Sequence, residues 1–94
     1  MKETELRIRI SAKLAEQSRI SRRLTSEIRG LPGIIRVEIP FDNNTESADV
    51  SVLAQFENAS ELRSLHKRLM KFITKCDGVC VTGISYDLNA MFGE

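Results

Sequence analysis

Residues Arg29 to Phe41 read RGLPGIIRVEIPF: a Gly, a Pro and a second Gly, then branched apolar residues that alternate with charged ones. Gly30 can adopt the left-handed conformation that closes a helix, and Pro32 forbids the helix to continue. Ile35, Val37 and Ile39 alternate with Arg36 and Glu38, the period of a strand with one buried face. Pro40 ends that run, as expected of an edge strand. The stretch is therefore a helix-to-strand corner.

Upstream, Leu6, Ile8 and Ile10 alternate with Arg7 and Arg9, which predicts a first strand. Ser11 suits an N-cap, and from about Ala12 to Arg29 there is no Gly or Pro. Ile20, Leu24, Ile28 and Leu31 share one face at about 100° per residue, with Leu14 at its edge, which predicts a first helix. Downstream, DNNTES (Asp42 to Ser47) is a polar connector. Val50, Val52, Ala54 and Phe56 then alternate with Ser51, Leu53 and Gln55 in a third strand, the hairpin partner of the second. Asn58 followed by Glu61 resembles a capping box, and Leu62, Leu65, Leu69, Phe72, Ile73 and Cys76 form the apolar face of a second helix. CDGV is a turn, Val79 to about Tyr86 a fourth strand, and Asn89 to Glu94 a tail.

The order is βαββαβ. Right-handed crossovers place both helices on one face of a four-stranded antiparallel sheet, an α+β sandwich of the ferredoxin-like, ACT-like kind. A chain of 94 residues has room for one two-layered core, so residues 1–88 are expected to form a single domain with 89–94 as its tail.

The chain is 41% hydrophobic and 29% charged, and no window approaches the roughly 18 apolar residues of a membrane span. The charged, alternating start MKETELRIRI is unlike a secretory signal, so a cytoplasmic location is expected. The net charge of +1 conceals an asymmetry: residues 1–40 hold nine Lys and Arg against five Asp and Glu, and residues 41–94 hold five against eight. Cys76 and Cys80, with one distant His, supply neither a disulfide framework nor four zinc ligands.

Several chemistries of this fold need residues that are missing here. Metal carriers keep a Cys-x-x-Cys after the first strand, and SAKLAEQS (Ser11 to Ser18) has no Cys or His. The same loop has no Gly to let a backbone approach an amino-acid ligand, as ACT domains do, or to cradle phosphate, as acylphosphatase does. RNA-binding domains of this topology stack bases on strand aromatics, and the first strand has none. His66 has no local nucleophile or carboxylate partner in sequence. The expectation is a non-enzyme without a cofactor. Dispersed carboxylates such as Asp42, Asp49 and Asp87 would be the ligands of any cation bound.

The suggestive constellation is basic. Arg19, Arg22, Arg23 and Arg29 project from the first helix, and Arg63, Lys67, Lys71 and Lys75 from the second. With both helices on one side of the sheet, that side becomes a positive surface, either a solvated face with local ion pairs or a dock for an acidic partner or anionic headgroups. The opposite sheet face displays Arg7, Arg9, Arg36 and Leu53 among others, and it must meet water, a protein partner or a second copy.

The stretches ELRIRISAKLAEQSRISRRLTSEI and ADVSVLAQFENASELRSLHKRLMKFITKCDGVCVTGISYD together resemble the cytosolic C-terminal domain of the MgtC/SapB family of bacterial inner-membrane proteins. The resemblance implies an ACT-like regulatory domain, tethered to the inner membrane and tied to growth under magnesium limitation rather than to a catalysed reaction. LPGIIRVEI departs from that family and is similar to the corner before a strand in the cytosolic domains of cation diffusion facilitators, which generally lack a first strand like Leu6 to Ile10. A nucleic-acid-binding module using the basic helix faces is the remaining alternative.

Overall fold

Strands β1 (Lys2–Ser11), β2 (Ile34–Glu38), β3 (Ser47–Phe56) and β4 (Cys80–Ile84) and helices α1 (Gln17–Arg29) and α2 (Ala59–Lys75) follow one another in the order βαββαβ. They are seen in a computed structural model that describes residues 2–42 and 44–85. A 3-10 turn, Leu14–Glu16, precedes α1. The sheet order is β2-β3-β1-β4, with every neighbouring pair antiparallel. This is the ferredoxin-like arrangement the pattern of apolar residues predicts.

Alternation decides which face is buried. Leu6, Ile8 and Ile10 of β1 lie opposite Val52, Val50 and Ala48 of β3, and all six side chains turn to the helices. Ile20, Leu24 and Ile28 of α1 and Leu62, Leu65, Leu69 and Ile73 of α2 close over them in one core cluster. Full burial of a branched apolar side chain contributes about 1.5–3 kcal/mol, so this layer supplies the main favourable term.

Five local expectations need correction. Ser11 is not an N-cap but the last residue of β1, paired with Ser47, and the Ala12 N–H donates to Glu46 O at 2.7 Å. The chain stays extended to that point, so α1 starts only at Gln17 and Leu14 is left 49% exposed. Gly30 is right-handed, with φ −75°, and the left-handed residue of the corner is Gly33, with φ 86°. Ile35 faces outward, because the β2–β3 register shifts between Ile34 and Arg36 and gives the inward place opposite Ala54 to Ile34. The fourth strand starts at Cys80, not Val79.

Other expectations hold. Asn58 caps α2, its side-chain oxygen accepting from the Glu61 N–H at 3.0 Å, while Glu61 Oε2 accepts from the Glu57 N–H at 2.9 Å. Leu31 is buried beside the corner, and Cys76 closes α2 as a buried free thiol. Among the described residues no helix is long and apolar enough to cross a membrane. The expected strand end at Tyr86 and the tail 89–94 lie outside the described residues.

Candidate functional site

The open sheet face brings Arg7, Arg9, Arg36 and Leu53 to one side, as the alternation predicts. Its three arginines are held by neighbours. Arg9 Nε donates to Asp49 Oδ1 at 3.0 Å across the β1–β3 register, Arg7 Nε donates to Glu5 Oε1 at 2.9 Å, and Arg36 lies 3.6 Å from Glu38. The hydrogen bond from Arg9 holds the Asp49 carboxyl below its ordinary value. Leu53 is half-buried, paired with Glu5 on one side and Arg36 on the other. Charge on this face is therefore largely compensated in place.

The helix layer is different. α1 and α2 together hold nine Lys and Arg against two Glu, counted over their observed bounds. Here the four arginines of α1 separate into two groups. Arg19 and Arg23 lie on one flank, where Arg19 donates to Glu16 at 2.7 Å and to the Asp77 carbonyl at 3.1 Å, and Arg23 donates to Glu27 at 3.1 Å. Arg22 and Arg29 lie on the other flank, with no carboxylate oxygen within 4.0 Å among the described residues. On α2, Lys67, Lys71 and Lys75 form an exposed i, i+4 row, likewise without a carboxylate partner among the described residues. Arg63, at the start of that row, is half-buried and engaged, as is His66. Burial holds the His66 imidazolium below its ordinary pKa.

Beside the Arg22–Arg29 flank runs an open groove of about 670 Å³ between α1 and the chain just past β2. Ser18, Ser21, Thr25 and Ser26 line it along the helix, and Ile39 and Phe41 form its apolar side. At its end sits Gln17, only 1% exposed, with Nε2 donating to the Thr45 carbonyl at 2.7 Å and the Ala12 carbonyl at 3.3 Å. Gln17 Oε1 is buried without a hydrogen-bond partner among the described residues.

Sequence reasoning missed Gln17 and the hydroxyl row. The signal was present, since positions 18, 22, 25 and 29 recur at helical spacing on one flank. A buried Gln, by contrast, could be recognised only once the connector carrying Thr45 was seen folded against α1.

No group of three or more His, Cys, Asp or Glu is placed to hold a metal among the described residues. Asp42 and Asp49 are engaged separately: Asp42 Oδ1 accepts from the Asn44 and Thr45 N–H groups at 2.8 and 2.9 Å, which lowers its pKa. Asp87 lies outside the described residues. Compared with known proteins, the chain matches no family model and no curated protein.

Proposed function

We propose that this chain is a non-catalytic regulatory and interaction domain that docks on an anionic membrane surface through its helix layer. The observation behind the reading is the segregation of charge. The two helices hold nine cations against two carboxylates, whereas the sheet face neutralises its arginines one by one. A row such as Lys67, Lys71 and Lys75 costs helix stability, since like charges at i, i+4 repel. Anionic lipid offsets that cost, each Lys or Arg near the surface contributing about 1 kcal/mol.

The resemblance to the MgtC/SapB cytosolic domain supplies the setting: a cytosolic appendage held beside the inner membrane of a bacterium and linked to magnesium limitation or cation homeostasis. The cation diffusion facilitator alternative shares that setting, a cytosolic regulatory appendage of a cation-linked membrane protein.

Co-sedimentation with vesicles tests the reading. The chain is expected to bind vesicles rich in phosphatidylserine or phosphatidylglycerol but not phosphatidylcholine. Binding should disappear as salt rises from about 0.1 M to about 1 M, because the screening length shrinks from about 10 Å to about 3 Å. Reversal of the α2 row, Lys67→Glu with Lys71→Glu and Lys75→Glu, should abolish it. Equal binding to neutral vesicles would overturn the proposal, as would no binding at low salt. A steep salt-dependent shift with RNA or DNA and none with lipid would instead favour the nucleic-acid reading.

A further inference from the structure

The groove beside α1 brings two cations of the positive layer together with a row of hydroxyls. Arg22 and Arg29 are seven residues apart, two helical turns, which aligns them on one flank about 10.5 Å apart along the axis. They are also the two α1 arginines without a carboxylate partner among the described residues, in contrast to Arg19 and Arg23. Between them, the hydroxyls of Ser18, Ser21, Thr25 and Ser26 enter into no side-chain hydrogen bond among the described residues. On α2, by comparison, the Thr74 hydroxyl donates back to the Met70 carbonyl at 2.7 Å.

Gln17 adds an independent sign. Its Nε2 faces two carbonyl oxygens, so the amide orientation is fixed; turning it over would set oxygen against oxygen. Oε1 is thereby committed as an acceptor, buried and without a donor among the described residues. Buried acceptors in folded proteins are nearly always satisfied, and a ligand donor reaches this one only if the side chains covering it move aside.

We propose that this groove binds a phosphate ester bearing hydroxyl groups, a phosphorylated polyol. The planar, forked guanidinium groups of Arg22 and Arg29 match phosphate oxygens. Ligand hydroxyls pair with the serine and threonine hydroxyls. Ile39 and Phe41 receive the C–H face of the polyol. A volume of about 670 Å³ accommodates a molecule of this size. The same chemistry is offered by a soluble sugar phosphate and by the headgroup of phosphatidylglycerol. The site uses α1 and not the α2 lysines, so it stands or falls separately from the docking face.

Amide NMR titration of the full chain with a hexose phosphate and with glycerol phosphate is the test, with inorganic phosphate and unphosphorylated glycerol as controls. Saturable shifts are expected from Gln17 to Arg29 and at the Gln17 side-chain amide. Arg22→Ala and Arg29→Ala should each weaken binding about tenfold or more, the value of a lost charge-assisted hydrogen bond. Arg22→Lys keeps the charge, removes the fork and should also weaken binding. The α2 triple reversal should leave the soluble ester bound while losing vesicles, which separates this proposal from the docking face.

Vesicles with phosphatidylglycerol, set against phosphatidylserine of equal charge, distinguish the two sources. Binding of the soluble ester assigns a free metabolite. Preference for phosphatidylglycerol that Arg22→Ala removes assigns the headgroup. Inorganic phosphate binding as well as the polyol esters, no shift at millimolar ligand, or full binding by the Arg22→Ala, Arg29→Ala double variant would overturn the proposal.

Discussion

Gly33 and Gln55 are locked backbone to backbone: the Gln55 N–H donates to the Gly33 carbonyl at 2.7 Å, and a Cβ on Gly33 would lie 2.6 Å from the Gln55 carbonyl oxygen. The corner that turns α1 into β2 is thus seated directly on β3. Gly33 also has φ 86°, where a side chain is strained whatever the space around it. Gly33→Ala should therefore lose roughly 2 kcal/mol or more, from backbone strain and overlap together, measured by urea unfolding.

Gly30, three residues earlier, should behave in the opposite way. It is right-handed, and the nearest heavy atom to an added Cβ is the Glu27 carbonyl oxygen at an ordinary 3.5 Å. Gly30→Ala should be neutral or stabilise by about 0.4–1 kcal/mol, by restricting the unfolded chain. A large loss from Gly30→Ala and none from Gly33→Ala would mean that the corner is assigned to the wrong glycine.

The two residues that the sequence marks as helix caps separate in the same manner. Asn58 accepts from Glu61 N–H, and Asn58→Ala should cost about 1 kcal/mol. Ser11 ends β1 and caps nothing, so Ser11→Ala should stay within about 0.5 kcal/mol of the parent. Thermal unfolding of both variants under one buffer distinguishes them.

These pairs show what is readable in the chain. Periodicity reports burial, so Leu6, Ile8, Ile10, Val50 and Val52 and the apolar helix faces are legible, and with them the order of elements. Local signals are ambiguous when tertiary contacts choose between them. Gly30 and Gly33 both suit a corner, and only the approach of β3 selects Gly33. Ser11 suits a cap or a strand end, and the Ala12 to Glu46 hydrogen bond selects the strand. The basic residues of α1 were legible as a group, but their division into paired and unpaired flanks depends on Glu16, Glu27 and the Asp77 carbonyl, whose positions are three-dimensional.

Burial also ranks the leucines. Leu69 is 0% exposed and lies in the main cluster, whereas Leu14, at the edge of the expected apolar face, is 49% exposed. Leu69→Ala should cost about 2–5 kcal/mol through lost transfer energy and the cavity left behind. Leu14→Ala should change stability by no more than about 0.5 kcal/mol. Comparable losses from the two would contradict the position of the 3-10 turn ahead of α1.

Stability should fall in two separate steps as pH is lowered. Burial depresses the His66 pKa, so the folded state resists the proton that the unfolded chain accepts. That contribution is complete above the ordinary histidine value of about 6.5 and is lost as pH falls from there through the lower folded value. Asp49, held down by Arg9, and Asp42, held down by the Asn44 and Thr45 N–H groups, act in the same direction at lower pH. Their contribution is present above the ordinary aspartate value of about 3.9 and declines below it. The urea midpoint followed from pH 8 to 3 should therefore lose its upper step in His66→Gln and part of its lower step in Asp49→Asn. An upper step that survives His66→Gln would assign it elsewhere, since His66 is the only histidine in the chain.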